Sequence, residues 1–416
     1  MTYGDCPLTT HNKNRNPASN ILIRPDTLSS LLRLFVDFYR MYHSMNIDFP
    51  SHTAAQRAVP ETEGIKYAGS KLKILPSIMD CISGLDIRTV LDGFSGSTRV
   101  SQAFAKLGFN TTSSDIAVWS QTMATAYLLN RREPKEYQHI IDHLNGVTAF
   151  EGWFSEHYGG TGSNSDKRPF QLKNTMKLDA VREEIDRMSL NEVERCVALT
   201  SLMLALDSVD STLGHFAAYL ADWSPRSHND MKLQLPKLFI SKGANRVIRR
   251  DIFETVKGSE FDLAYFDPPY GSNNDKMPPS RVRYNSYYHI WTTVIQNDKP
   301  PLFGKVNRRE DSRDTASPSV FEEFRKDEDG NFLAMNAIRS LIEQTRSRYI
   351  LLSYSSGGRA TKEALHDILN TGGKLIRAVE IDYKKNVMGN MRWTNEWVNS
   401  DGKYSEYLFL MEKDRY

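Results

Sequence analysis

The sequence predicts an α/β protein with a parallel sheet covered by helices, and two patterns point to that fold class. Residues 87–115 contain a buried strand, "RTVLD", a tight turn, "FSGS", an amphipathic helix, "TRVSQAFAKL", and a second strand, "FNTTSSD". A strand, a helix and a strand joined this closely indicate parallel neighbours in a sheet. The same rhythm resumes after residue 240 and ends in two strands separated by a long polar segment.

The other helices and strands are predicted from hydrophobic periodicity and from the glycines and prolines that separate apolar runs. The segment 299–318 combines prolines with mixed charge, which predicts a surface loop. Strands are predicted over 245–251, 261–267, 348–354, 374–383 and 404–412, and helices over 26–46, 117–130, 190–222, 285–297, 331–345 and 360–370.

Residues 117–240 interrupt the strand rhythm. They contain helical patterns separated by "GGTGSNSDKRP", which predicts a flexible loop. The expected organisation is a flexible tail (1–25), a sheet domain (26–116 and 241–416) and a mostly helical insertion (117–240).

Composition narrows the class of protein. The 416 residues include 53 Lys+Arg and 51 Asp+Glu, a formal net charge of +2, so a nucleic-acid surface would have to be a local basic patch. Cys6, Cys81 and Cys196 are too widely spaced to predict a disulfide framework or a metal site. The polar N-terminus and an apolar run of only residues 196–209 predict a cytoplasmic protein without a membrane span.

The turn after the first strand has the composition of a nucleotide-binding turn. Asp92 ends the strand, and Gly93 and Gly96 allow close approach of the backbone to a ligand beside a helix N-terminus. Asp115 ends the next strand, where a carboxylate can accept hydrogen bonds from both ribose hydroxyls. An N-cap for the helix that begins near residue 117 is the alternative role of Asp115.

Two further stretches have chemical potential. In "KYAGSK", residues 66–71, a Gly-Ser turn followed by Lys71 suits a carboxylate, although an ordinary helix start is the better explanation of this motif taken alone. In "YFDPPYGS", residues 265–272, two prolines hold the backbone rigid and offer carbonyls without N–H donors. Asp267 and the Pro268 carbonyl can each accept one N–H of an exocyclic amine, and Tyr270 offers a ring for stacking a base. A rigid structural loop is the alternative.

The order of these motifs resembles the DNA adenine N6-methyltransferases, a family that includes the Dam-like and restriction-modification enzymes with a DPPY motif. The resemblance extends over about residues 65–415. It implies a Rossmann-like class I methyltransferase sheet with an antiparallel C-terminal strand, and S-adenosyl-L-methionine as the cofactor. Tyr67 stands where the family often has Trp.

The resemblance also implies that residues 26–116 and 241–416 form the cofactor-binding catalytic domain, that residues 117–240 are the target-recognition region, and that individual residues have particular roles. The catalytic motif is Asp267, Pro268, Pro269 and Tyr270, and the cofactor-binding residues are Tyr67, Lys71, Asp92, Phe94, Gly96, Asp115, Asp251, Ile252 and Asp267. Candidates for DNA contact are His215, Tyr219, Arg226, Arg249, Arg250, Arg281, Tyr284, Lys384, Lys385 and Arg392. Packing is an equally good role for His215 and Tyr219.

The expected function is methylation of adenine N6 in double-stranded DNA, within a restriction-modification system that includes a cognate restriction endonuclease. The target base would be flipped out of the duplex. Methylation of cytosine N4 or of adenine in RNA remains open, because the same acceptors fit any exocyclic amine. A catalytically silent nucleic-acid-binding protein on the same fold is the alternative from another class.

Overall fold

The computed structural model describes residues 59–161, 168–220, 222–271, 283–313, 319–383 and 404–414. The predicted tail and the helix predicted over 26–46 lie outside these residues, as do Arg281, Lys384, Lys385 and Arg392.

The described residues form eleven strands and twelve α-helices. The strands are β1 (Thr89–Asp92), β2 (Asn110–Asp115), β3 (Gly159–Gly160), β4 (Phe170–Gln171), β5 (Arg246–Arg249), β6 (Glu260–Phe266), β7 (Leu302–Phe303), β8 (Arg308–Arg309), β9 (Arg346–Ser355), β10 (Gly373–Tyr383) and β11 (Tyr404–Lys413). The helices are α1 (Leu75–Cys81), α2 (Arg99–Lys106), α3 (Val118–Leu128), α4 (Gln138–Gly146), α5 (Trp153–Tyr158), α6 (Leu172–Arg187), α7 (Glu192–Val209), α8 (Ile252–Val256), α9 (Tyr284–Tyr287), α10 (His289–Gln296), α11 (Leu333–Gln344) and α12 (Lys362–Gly372).

Seven strands form the central sheet in the order β10-β11-β9-β6-β1-β2-β5. The five strands β5, β2, β1, β6 and β9 pair in parallel, whereas β11 lies antiparallel between β9 and β10. The α/β prediction and the antiparallel C-terminal strand are therefore confirmed. The carboxyl ends of β1, β2 and β6 meet at one edge of the sheet, where a Rossmann-like fold places its ligand.

Alternating side chains of the central strands are buried on both faces of the sheet. On β6, Leu263 and Tyr265 pack with α1 and α2 on one face, whereas Ala264 and Phe266 pack with α8, α11 and α12 on the other. Both faces are covered by helices, which explains why the second half of this strand, Leu263–Phe266, is continuously apolar.

The helices of residues 117–240 pack in an apolar cluster that they share with other parts of the chain. Buried residues of α3, α4, α6 and α7, including Leu202 and Leu206, share a cluster with Tyr288 and Trp291 of the segment that follows the DPPY motif. The helix predicted over 190–222 ends early, at Val209, because Asp210 adopts an extended conformation. The buried Asp210 carboxylate accepts hydrogen bonds from Lys66 Nζ at 2.6 Å and Arg226 Nε at 2.9 Å.

The surface loop predicted over 299–318 is partly ordered into structure. Its described part contains the short hairpin of β7 and β8. Arg309 is buried there and pairs with Asp298 and Asp311, so the dense mixed charge folds the segment back on itself. Among the described residues, no helix is both long and apolar enough to cross a membrane.

Candidate active site

Asp267 lies directly after β6, where the loop Asp267–Tyr270 leaves the sheet. Its Oδ2 is 2.8 Å from Lys71 Nζ, and its Oδ1 accepts a hydrogen bond from the Tyr270 hydroxyl. Lys71 is only 7% exposed. The structure therefore brings the "KYAGSK" and DPPY motifs, which are about 200 residues apart in the chain, into one cluster.

Glu406, which the sequence did not single out, belongs to the same cluster. Its Oε1 lies 2.6 Å from the Tyr270 hydroxyl and 3.3 Å from Lys71 Nζ, and it accepts a hydrogen bond of 2.7 Å from Ser353 Oγ. Glu406 pairs with Ser355 of β9 in the antiparallel register. The signal for it was an acid near the start of the apolar strand "YSEYLFLME", whose other acid, Glu412, lies at the far end.

The environment in this cluster makes the Asp267 carboxylate easier to protonate than an aspartate in water. Burial raises the pKa of Asp267 to about 6, and the attraction of Lys71, which lowers this pKa, is opposed by the charge of Glu406. Burial acts to lower the pKa of Lys71, but the two carboxylates outweigh it and the pKa is raised. Lys71 therefore stays charged between two acids.

Tyr270 is held at both its ring and its backbone. The ring packs at 4.8 Å from the ring of Tyr354, and the backbone carbonyl accepts hydrogen bonds from the Tyr354 hydroxyl at 2.8 Å and from Arg359 N at 2.7 Å. Pro268 is buried and Pro269 half-buried. The loop is thus fixed at the sheet edge, with both oxygens of Asp267 engaged by other side chains of the site.

The glycine turn after β1 is shaped by close contacts. A Cβ on Gly93 would lie 2.6 Å from the Phe266 ring, and one on Gly96, at φ +45°, would lie 3.0 Å from the Tyr67 ring. Only glycine fits both positions without displacing a neighbour. The turn therefore lies tightly between β6 and the aromatic residue of the N-terminal motif.

Asp92 is a buried acid beside this turn. Its Oδ2 accepts a hydrogen bond of 2.5 Å from Ser101 Oγ, whereas its Oδ1 has no hydrogen-bond partner within the part of the chain that the structure describes. Burial raises the pKa of Asp92 to about 7, although the Ser101 hydrogen bond lowers it, and the charges of Asp267 and Asp115 add to the rise. Such an acid can accept a donor from a bound ligand.

Asp115 accepts hydrogen bonds from the backbone through both oxygens. Oδ2 accepts from Gly96 N and Oδ1 from Ala117 N, each at 2.8 Å. The first contact fixes the glycine turn, and the second lies just before α3. Burial raises the pKa of this carboxyl despite these hydrogen bonds. Ile116, the next residue, is 70% exposed, an apolar surface beside the turn that sequence reasoning missed.

An aromatic cluster surrounds Tyr67. Its ring centroid lies 4.8 Å from Tyr288, 5.4 Å from Tyr284 and 5.6 Å from Trp119. The Tyr288 hydroxyl accepts a hydrogen bond of 2.6 Å from Ala68 N. Tyr284, predicted to contact DNA, is therefore packed beside the glycine turn.

The remaining cofactor candidates lie around α8. Asp251 is exposed and caps this helix, since its Oδ1 accepts a hydrogen bond of 2.9 Å from Phe253 N. Ile252 is buried. Phe94 meets Phe321 edge to face at 5.2 Å, and Phe253 stacks on Phe321 at 5.8 Å.

The residues predicted to contact DNA divide into two groups. His215 is only 7% exposed and stacks at 4.2 Å on Tyr287, Tyr219 donates its hydroxyl to the Val306 carbonyl, and Arg226 pairs with Asp210. These three support the fold in this conformation. Arg249 and Arg250 are exposed at the end of β5, the edge strand. DNA contact by any of them stays a prediction.

A parallel sheet closed by an antiparallel strand, with acidic residues at the ends of β1, β2 and β6 beside a glycine turn, defines a Rossmann-like methyltransferase. More specifically, the chain belongs to the D12 class of N6 adenine-specific DNA methyltransferases, whose family profile matches residues 67–316. The resemblance inferred from the motifs is confirmed.

Individual relatives are distant in sequence. The chain is 25% identical to the type II methyltransferase M.FokI of Planomicrobium okeanokoites and 27% identical to the modification methylase StsI of Streptococcus sanguinis, in each case over 84% of this chain. It spans about half the length of these two relatives, 53% and 52%. It is also 25% identical to the type II methyltransferase M.NlaIII of Neisseria lactamica, over 84% of this chain and 99% of that protein.

Proposed function

We propose that this protein transfers a methyl group from S-adenosyl-L-methionine to N6 of adenine in double-stranded DNA. The observation that carries this proposal is the pairing of β1 with β6, in which Asp92 is the partner of Tyr265. This register puts the glycine turn and the Asp267–Tyr270 loop side by side. A cofactor turn and a rigid set of amine acceptors at one sheet edge are what transfer to an exocyclic amine requires.

The residues at the glycine turn fit the proposed cofactor. Asp92 offers a buried acceptor oxygen without a partner among the described residues, the glycine backbone leaves room for close approach, and Asp115 stands at the adjacent strand end. Ile116, which is 70% exposed and follows Asp115 directly, would offer apolar surface to the purine ring of the cofactor. When bound, S-adenosyl-L-methionine supplies an electrophilic methyl whose bond to sulfur breaks, with its electron pair left on sulfur, as the amine forms the new C–N bond.

The DPPY loop would position the adenine. Asp267 and the Pro268 carbonyl accept the two N–H groups of the amine and orient its lone pair, and the Tyr270 ring stacks on the flipped base. After transfer the nitrogen carries a positive charge and loses one proton, to Asp267 or to solvent. Most of the protein's contribution is positioning of the amine.

DNA and a partner nuclease complete the proposed setting. The exposed Arg249 and Arg250 would offer phosphate contacts at the carboxyl end of β5, the edge strand beside β2. Two of the relatives are named type II methyltransferases and another is named a modification methylase. A cytoplasmic restriction-modification system with a cognate endonuclease is therefore the context that we propose.

Identification of the methylated nucleoside tests this function. The protein is incubated with methyl-labelled S-adenosyl-L-methionine and with duplex DNA or RNA of mixed sequence, and the nucleic acid is digested to nucleosides for separation. We expect the label in N6-methyladenine of DNA. Label in N4-methylcytosine, label only in RNA, or no transfer despite cofactor and DNA binding would each contradict the proposal.

A further inference from the structure

The acid cluster around Lys71 contains one carboxylate more than the reaction itself uses. Asp267 is the proposed acceptor of the amine, whereas Glu406 reaches the cluster from β11, with β9 lying between β11 and β6. Both carboxylates contact the same Lys71 ammonium, at 2.8 and 3.3 Å, and both contact the Tyr270 hydroxyl. One cation and one hydroxyl are thus shared between two acids.

Sharing has a direct electrostatic consequence for Asp267. The negative charge of Glu406 disfavours ionisation of Asp267. Because Lys71 also interacts with Glu406, it stabilises the charged form of Asp267 less than it would alone. Glu406 is anchored for this role by the hydrogen bond from Ser353, a fully buried side chain of β9. Burial is the largest cause of the raised pKa of Asp267, and the charge of Glu406 acts in the same direction.

The other groups that act on Asp267 do not replace this effect. Electrostatic interactions couple Asp267 to Lys71, Glu406, Tyr270, Tyr67, Asp92, Tyr265 and Tyr284. The tyrosines have pKa values raised well above their ordinary value and stay neutral, and Lys71 acts in the opposite direction. Asp92 interacts with Asp267 from the cofactor side. Within the Lys71 cluster, Glu406 is the carboxylate that opposes Lys71.

We infer that Glu406 is a positioning residue for methyl transfer: by sharing Lys71 and Tyr270 with Asp267, it keeps Asp267 basic enough to take the proton that the methylated amine releases. This inference rests on the proposed function for the identity of the amine. A base works best when its proton affinity lies near the working pH, and Glu406 offsets part of the lowering of that affinity by Lys71. Asp267 touches the reacting group, and Glu406 acts through it.

The test compares Glu406→Gln, which removes the charge and keeps the shape, with Glu412→Gln on the same strand. Glu412 pairs with Arg348 at 3.1 Å on the surface and does not belong to the cluster. Titration of the Asp267 carboxyl is followed by NMR of protein labelled with carbon-13 at aspartate side chains, with Asp267→Asn for assignment. We expect the Asp267 midpoint to fall by about one pH unit in Glu406→Gln, and to stay unchanged in Glu412→Gln.

Kinetics supply the second readout. The acidic limb of the single-turnover methylation rate should move to lower pH in Glu406→Gln by the same amount, whereas a merely structural defect would lower the rate equally at every pH. Glu406→Asp, which retains the charge, should restore most of the wild-type profile. An unchanged Asp267 midpoint in folded Glu406→Gln would overturn the inference while leaving the proposed function intact.

The wild-type titration keeps the inference testable if Glu406→Gln does not fold. Asp267 must then titrate well above the ordinary value of an aspartate, and an ordinary midpoint would overturn the inference. Because the NMR measurement needs no turnover, it tests the role of Glu406 even if the protein does not methylate adenine.

Discussion

The Tyr270 hydroxyl donates a hydrogen bond to Asp267, the carboxylate that we propose accepts the adenine amine. Lys71 lies 2.8 Å from the other oxygen of the same carboxylate. Each carboxylate oxygen can accept a second hydrogen bond, so an amine that binds Asp267 either joins these two donors or replaces one of them. The ring of Tyr270 and its hydroxyl consequently have separable roles, one in stacking and one in occupying Asp267.

Substitutions at Tyr270 separate these roles. Tyr270→Phe keeps the ring and removes only the hydroxyl, which contacts Asp267, Glu406 and Lys71, so methyl transfer should stay within about tenfold of wild type. Tyr270→Ala removes the ring and should weaken binding of the flipped base by about 1–3 kcal/mol. Single-turnover rates over a range of DNA concentrations measure both effects. Equal losses in the two variants would argue against stacking.

The ionisation of the buried Asp92 should lower the stability of the folded protein at neutral pH. Its pKa is about 7 in the folded protein and about 3.8 when unfolded, so its neutral form stabilises the fold fully below pH 3.8 and this contribution is lost as the pH rises to 7. Relative to Asp92→Asn, wild type should lose on the order of 2–3 kcal/mol of unfolding free energy between pH 5 and pH 8. Denaturant unfolding at the two pH values measures this difference.

The exposed acid Asp367 on α12 provides the control for that experiment. Asp367→Asn should leave the difference between the two pH values as in wild type. Asp92→Asn should also bind S-adenosyl-L-methionine more weakly, as expected of a residue that gives up stability for a ligand. A pH dependence in Asp92→Asn equal to that of wild type would contradict the buried, raised-pKa state of Asp92.

Gly93 leaves no room for a side chain. Gly93→Ala places a methyl group 2.6 Å from the Phe266 ring and 2.9 Å from Ile252 Cδ1, and overpacking of this kind costs about 1–3 kcal/mol. Gly146→Ala is the matched control, because nothing lies within 4 Å of its added Cβ. Thermal unfolding of both variants measures the difference in lost stability. An equally small effect at both positions would show that the turn can accommodate a methyl group at Gly93.

Arg249 and Arg250 should contribute to DNA affinity without reading sequence. Each Arg→Ala change should lower affinity about equally for different duplexes and reduce the slope of log affinity against log salt by about 1. Arg346→Ala is the control. Arg346 pairs with Glu260 and lies at the amino end of β9, away from the carboxyl ends of the parallel strands. Unchanged salt slopes for the Arg249 and Arg250 variants would place the DNA elsewhere.

The sheet could be predicted from the sequence because its central strands are buried on both faces. Their apolar runs are long and bounded by turns, as at "FDLAYFD" and "RYILLSY", and β6 and β9 lie within about a residue or two of the expected positions. Residues in the motifs were found for the same reason, since they directly follow these runs. Strand ends at one edge of a parallel sheet then bring them together.

Other features depend on which elements become neighbours, and a single sequence does not state that. Glu406 joins the site only because β11 pairs with β9. In the sequence, Arg226 resembles a basic residue available to bind DNA. In the structure, α7 ends at Val209, and the buried Asp210 that follows it accepts a hydrogen bond from Arg226. The helices α4, α5 and α6 were not predicted. The first two have only 9 and 6 residues, whereas α6 has 16 residues but is so rich in polar side chains that its periodic signal is weak.

The most direct test of the account is methyl transfer by Asp267→Asn. The variant keeps the size of the side chain but replaces one acceptor oxygen with an amide, so it cannot serve as a base for the amine. We predict that it binds S-adenosyl-L-methionine and duplex DNA within a few-fold of wild type, whereas its single-turnover rate of N6-methyladenine formation falls by about 10²–10⁴-fold. A rate within tenfold of wild type would contradict the role of Asp267 at the centre of this site.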